Sequence, residues 1–415
     1  CTIDGENYYM IANVNEMRPF FMSIVSNSNH WMFVSSNGAL SAGRKNADFA
    51  LFPYYTDDKI TEAAEITGSK SIFIVHLNDQ KFLWEPFSDK YEGIYNISRN
   101  LYKNSYGNKL IFEEINNNLG ITFRYQWNTS NLFGFVRKSQ LINHSGNEVR
   151  ISLLDGLQNL LPYGVSADMQ NSVSNLVDAY KRSELVKDAP LGIFALSAII
   201  VDKAEPSEAL KANIAWSLGL ESPACLLSSL QLDNFRKGLP VTEETDVKGE
   251  KGAYFVHTEL TLSPSAEKEW LIAANVNQNH ASIIRLTEQI KHTPQLNQLI
   301  EKDIADGTQH LIELVASSDG LQLTADKLRD TRHFSNTLFN IMRGGIFENN
   351  YNIEKEDFVR HLFKANKDVF NKNAQLIEEL PAVFDLSQLN ALKDKTEDAD
   401  FKRLCMEYLP LMFSR

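Results

Sequence analysis

Hydrophobic positions in this chain change their period near residue 277. Before it they alternate with polar ones; after it they recur at helical spacing. The clearest alternation runs from Lys109 to Asp155. Ile121, Phe123, Tyr125 and Trp127 fall on one face, and Thr122, Arg124 and Gln126 on the other. Asn128-Thr-Ser-Asn131 leads to a second run, Leu132 to Ile142. Asn143-His-Ser-Gly-Asn147 leads to a third, with Val149, Ile151 and Leu153 opposite Arg150 and Ser152. Period-two patterning with polar turn clusters predicts half-buried antiparallel strands, here a β-meander. Further strand patterns cover Phe20–Val25, Trp31–Val34, Ile72–Leu77, Lys81–Trp84, Leu110–Ile115, Gly192–Val201, Leu210–Ser217, Ala253–Leu262 and Trp270–Val276. One helix interrupts them, from Asp168 to Glu184, with Met169, Val173, Leu176, Val177 and Tyr180 at helical spacing. The expectation is a large, mainly β sandwich.

Beyond Asn277 the stripes are those of amphipathic helices. Leu296, Leu299, Ile300 and Ile304 form one, Phe334, Leu338, Ile341 and Met342 another, and Phe401, Leu404, Cys405 and Tyr408 a third. The boundary is expected at about 277, dividing a β domain (1–277) from a helical region (278–415).

A length of 415 residues, 43% hydrophobic and 23% charged, suits a globular chain of two or three domains with a sizeable core. The formal charge of −12 argues against a nucleic-acid partner, which needs a basic face to displace phosphate counterions. No apolar run reaches the roughly 18 residues that cross a bilayer. Cys1, Cys225 and Cys405 are odd in number and widely spaced, which suits free thiols better than a disulfide framework. A start on Cys1 and an end in the apolar run Tyr408–Arg415 suggest a stretch of a longer chain. A lipid-anchored envelope protein processed at Cys1 is the alternative to a cytoplasmic one.

Candidate chemistry is sparse. His257 and Glu259 would share a strand face, but no third metal ligand accompanies them. No Gly-x-Ser-x-Gly elbow occurs, and Gly38–Gly43 is the wrong pattern for a phosphate loop. Glu85, Glu113, Glu114 and Asp155 lie among the strands, where carboxylates are usually solvated. Trp31, Trp84 and Trp127 are candidates for carbohydrate binding, because aromatic rings stack on the apolar faces of pyranoses; core packing competes for the same rings. The helix at Arg332–Gly345 buries Phe334 and Leu338 and leaves Arg332, Ser335, Asn336, Asn340 and Arg343 on its polar side. A face rich in Asn and Arg suggests contact with another domain or with an active-site entrance.

The stretch Arg137-Lys-Ser-Gln-Leu-Ile-Asn-His-Ser-Gly-Asn-Glu-Val-Arg-Ile-Ser-Leu-Leu-Asp155 resembles a strand-turn-strand of the N-terminal supersandwich in cellobiose-phosphorylase-like and glucoamylase-type enzymes. Glu208–Ser217 and Phe235-Arg-Lys-Gly238, with the strand pair after it, are similar in place and texture. The resemblance implies a galactose-mutarotase-like pair of large antiparallel sheets. It implies that the helical region leads to an (α/α)6 catalytic barrel absent from this chain, so that no catalytic residue, metal or cofactor is assigned here. Inorganic phosphate would serve only the full-length enzyme. The implied partners are an oligo- or polysaccharide, the chain's own catalytic domain and a second copy in a homodimer. Two other readings are a self-contained sugar-binding protein and a mutarotase-like epimerase, the latter needing a His/Glu pair on the concave sheet.

Overall fold

The computed structural model describes the chain except residues 56, 78–79, 173, 198–210, 319, 345, 348–351, 409–410 and 413–415. For residues 57, 58, 171, 172, 174, 175, 343, 344, 346, 347, 411 and 412 it describes the backbone alone. The chain is mainly β, and helices follow at its C-terminal end. It divides into two compact units, Cys1–Leu311 and Ile312–Ser414.

The first unit is built on an eleven-stranded antiparallel sheet, faced by sheets of five and four strands. The middle of the large sheet comprises Leu110–Asn116, Ile121–Ser130, Gly134–Asn143, Glu267–Asn279 and Lys211–Leu218, in that spatial order. Alternation sends Phe112, Phe123, Tyr125, Trp127 and Phe135 inward, where they meet Phe73 and Leu153 of the five-stranded sheet and Phe52 of the four-stranded one. Phe73 packs edge-on against Phe123 at 5.0 Å, and Phe52 against Trp127 at 6.5 Å. Such pairs add to the area they bury.

The meander is corrected at its third strand. Gly134–Asn143 pairs with Ile121–Ser130 and with Glu267–Asn279, not with the run that follows it. Val149–Leu160 lies instead at the centre of the five-stranded sheet, between Gly68–Leu77 and Gly252–Leu262. The polar turn is therefore a crossing from one sheet to the other, and the chain crosses back between Leu262 and Glu267. Asn143 holds the corner. Its Nδ2 donates to the carbonyls of Asn147 (2.8 Å), Leu262 (3.1 Å) and Ser263 (3.1 Å), while its Oδ1 accepts from the Ser145 amide at 2.9 Å.

The expected helix at Asp168–Glu184 is also shorter. Helices cover Ala167–Ser172 and Ser174–Tyr180, and Lys181–Leu185 is a strand that pairs with Leu191–Leu196 and Asp246–Lys248. Ladder partners on both sides override the helical spacing. The expected strands at Gly192–Val201 and Leu210–Ser217 are seen as Leu191–Leu196 and Lys211–Leu218. Residues 198–201 and 208–210 of these expected stretches lie outside the described residues.

Strand gives way to helix at His280. Asn279 caps His280–His292 by accepting from the Ser282 amide. Ile283, then Leu296, Ile300 and Ile304 of the helix Leu296–Ala316, pack on the outer face of the large sheet against Val136, Ile214, Trp216, Leu271 and Ala273. The second unit contains the helix Lys327–Gly344 and a smaller helical module. The module's core gathers Ile353, Phe358, Leu362, Val369, Phe384, Leu389, Phe401 and Leu404. Three of its helices begin on side-chain caps: Asn366 and Asp398 each accept from two amides, and Asp385 and Gln388 form a capping box. The short strands Ile346–Phe347 and Leu411–Met412 pair antiparallel, so the chain enters and leaves the module at one place.

Candidate functional site

The three tryptophans expected to meet sugar are core residues. Trp127 is 0% exposed and Trp84 2%, and the Trp84 indole donates to Glu114 at 2.7 Å. Trp31 is buried too, donating to the Asn46 carbonyl at 3.1 Å, with Tyr54 edge-on to its ring. None offers a ring face to a ligand, because two sheets compete for the same apolar surface and win. Arg332, Asn336 and Asn340 are exposed on the helix Lys327–Gly344. Arg343 belongs to that helix, but its side chain lies outside the described residues.

The strand carboxylates expected in solvent are buried and paired. Asp155, fully buried, meets Arg137, also fully buried, and accepts from the Trp270 indole (2.6 Å) and Ser71 (2.5 Å). Glu85 lies between Lys70 (2.7 Å) and Arg236 (2.9 Å). Burial alone would raise its carboxyl pKa; the Arg236 hydrogen bond and the Lys70 charge outweigh that and hold it below the ordinary glutamate value. Glu114 accepts from Arg99 at 2.8 Å inside the sandwich. Its neighbour Glu113 points to the opposite face, where it accepts from Asn100 (2.7 Å) and Tyr102 (2.8 Å) and pairs with Arg124. His257 bonds the Leu153 carbonyl at 3.0 Å, and Glu259 turns to Arg150.

A candidate site lies on the outer face of the large sheet. It is a cleft of ≈ 710 Å³, a size typical of small-molecule sites. Its floor carries Arg124 and Gln126 of Ile121–Ser130, Lys138 and Gln140 of Gly134–Asn143, and Glu269 of Glu267–Asn279. Period-two alternation sets these residues there, opposite the aromatic core. One wall is the N-terminal hairpin, with Ile3, Asp4, Glu6 and Tyr8; the other is the helix from Leu296, with Asn297 and Glu301. Lys109 pairs with Glu6 and Lys138 with Glu301. Gln140 Nε2 donates to Glu267 (3.0 Å) and Glu269 (3.2 Å), and Gln126 Nε2 to Asn128 (2.8 Å). Burial raises the Glu269 carboxyl, and the charges of Glu267 and Asp4 raise it further. Burial likewise pushes Tyr8 up, with Glu6 and Asp4 adding to it. Amide and guanidinium groups on one floor can donate to and accept from neighbouring hydroxyls, which suits a polyhydroxylated ligand. Among the described residues, no histidine lines the cleft, so the His/Glu pair of an epimerase is not found there.

None of the residues singled out as sugar-binding or domain contacts falls in this cleft. The signal that could have found it was the polar face of the meander itself. Arg124 and Gln126 lie on that face, in the middle of a wide antiparallel sheet.

Residues 347–410 match the family model of glycoside hydrolase family 149 insertion domain 1, which covers the helical module. That match relates this part of the chain to a carbohydrate-active enzyme family, in keeping with the resemblance carried by the sandwich. No curated protein matches the sequence. Among solved structures, a bacterial glucoamylase complexed with acarbose is similar over 92% of this chain and 55% of its own, at 10% identity and a TM-score of 0.43. A protein assigned as a kojibiose phosphorylase, from the human microbiome, is similar over 71% of this chain and 31% of its own, at 10% identity and a TM-score of 0.29.

 A third structure, a protein assigned as an aldose 1-epimerase from Klebsiella pneumoniae, matches with a TM-score of 0.30. It is similar over 69% of this chain and 95% of its own, at 7% identity. The chain thus spans about half the length of the glucoamylase it matches.

Proposed function

We propose that this chain is the N-terminal, non-catalytic and carbohydrate-associated part of a larger glycoside phosphorylase or hydrolase, and that the cleft on its large sheet holds a saccharide chain. The observation that carries the reading is the match of residues 347–410 to an insertion domain of a glycoside hydrolase family. The cleft supports it with hydroxyl-matching groups: Arg124, Gln126, Gln140 and Asn297 around a hollow of ≈ 710 Å³, a small-molecule size. In this reading the sandwich supplies binding and support, and bond cleavage belongs to a separate catalytic domain.

Calorimetric titration of the chain with neutral gluco-oligosaccharides of several linkages tests the binding half. Saturable binding is expected, weakened about three- to tenfold by Gln126→Ala, the loss of one or two hydrogen bonds. A panel that gives no binding removes the cleft from the proposal. Incubating the chain with the same sugars, with and without phosphate, tests the other half. Release of glucose or a sugar phosphate by this chain alone would overturn the non-catalytic assignment.

A further inference from the structure

We infer that the cleft is a charge filter: it admits neutral saccharides and turns away those bearing carboxylate, sulfate or phosphate groups. This rests on the saccharide reading above and adds the class of chain selected. A polar floor with Arg124 and Lys138 looks at first like a site for anionic sugars. Each of its cations, however, is already neutralised from within. Lys109 pairs with Glu6, Arg124 with the buried Glu113, and Lys138 with Glu301. Arg124 is fixed more firmly still, because Glu113 is itself held by Asn100 and Tyr102 and cannot swing away.

The remaining charges are negative. Asp4 on the hairpin and Glu269 on the floor line the cleft with no ion-pair partner among the described residues, and Glu267 sits two positions along the same strand face. Gln140 bridges Glu267 and Glu269 by donating to both, which softens their repulsion without cancelling charge. The groups facing Glu269 are thus Glu267 on its own strand, Lys138 and Gln140 on the next, Asp4 on the hairpin and Glu301 on the helix. The upward shift of the Glu269 carboxyl, caused by burial and then by Glu267 and Asp4, reports the potential that an incoming anion would meet. The overall charge of −12 adds a long-range term of the same sign. At contact distances in a half-solvated cleft, one such repulsion is on the order of tenfold in affinity.

The test compares neutral gluco-oligosaccharides with oligouronates of equal length on the whole chain, by calorimetry at low and at physiological salt. The expected result is at least about tenfold weaker binding of the uronates at low salt. That gap should narrow as salt shortens the screening length from about 30 Å to about 8 Å, while neutral binding stays level. The double variant D4N/E269Q should raise uronate affinity relative to neutral affinity. Uronates that bind as tightly as neutral sugars would overturn the filter and leave the saccharide site standing. So would a gap that neither salt nor D4N/E269Q changes. Failure of every sugar to bind would overturn the saccharide reading and the filter with it.

Discussion

The buried acids are the residues on which this sandwich depends most. Asp155 and Arg137 are both sealed from solvent, so each makes the other tolerable in a low-dielectric interior. Asp155→Asn leaves Arg137 uncompensated and should cost about 3–5 kcal/mol of stability, read from urea unfolding. Replacing both together, Asp155→Leu with Arg137→Met, should cost clearly less than the single change, since no charge is then stranded. Glu65, Glu85 and Glu113 add a pH dependence. In each, burial works to raise the pKa, but the cationic and hydrogen-bonding neighbours prevail and lower it in the folded state. A lowered folded pKa gives stability that is present above the ordinary glutamate value and lost as pH falls through the folded one. The unfolding midpoint should therefore decline below about pH 4.5. Glu85→Gln should flatten that decline; an equally steep one would remove Glu85 as a contributor.

At the scale of elements, the corner at Asn143 is the informative one. Its side chain ties both crossings, one before Val149 and one after Leu262. Asn143→Ala strands the buried Leu262 carbonyl and frees those of Asn147 and Ser263, and should cost about 1–3 kcal/mol with the cleft kept. A variant as stable as the parent would show that water replaces the amide. The alternation around this corner was legible in the sequence, since inward Phe123, Tyr125 and Trp127 are where period two puts them. The crossing was not. A polar five-residue turn reads alike whether the next strand pairs with its predecessor or joins another sheet, because the choice is made by distant partners at Gly68–Leu77 and Gly252–Leu262. The same blindness hid the buried acids. Nothing local to Glu85 announces Lys70 and Arg236, and an unpaired carboxylate is the fair expectation without them. The cleft was half legible: its floor is the polar face of the alternating strands, but its walls come from the first residues of the chain and from a helix near residue 300.

At the scale of the molecule, the helical module has the means to stand alone. It has its own apolar core, capped helices and two ends joined by a short ladder. Expressed as residues 346–412, it should unfold cooperatively, with loss of helical circular dichroism in a single transition. Phe401→Ala in that piece should cost about 3–5 kcal/mol, as for other fully buried aromatic rings. A piece without cooperative unfolding would mean that the module borrows stability from its surroundings.

The two crossings also set a timetable for synthesis. Val149–Leu160 is buried along nearly its whole length, yet one of its two ladder partners, Gly252–Leu262, is made about a hundred residues later. Until that partner leaves the ribosome, a long apolar strand has one edge open to any other chain nearby. Pairings this distant close slowly, and slow closure lengthens the exposure. Yield in a cell should therefore respond to chaperone supply more than stability alone would suggest. Changes that weaken Gly252–Leu262 should show first as aggregation during synthesis, before any loss in the finished protein.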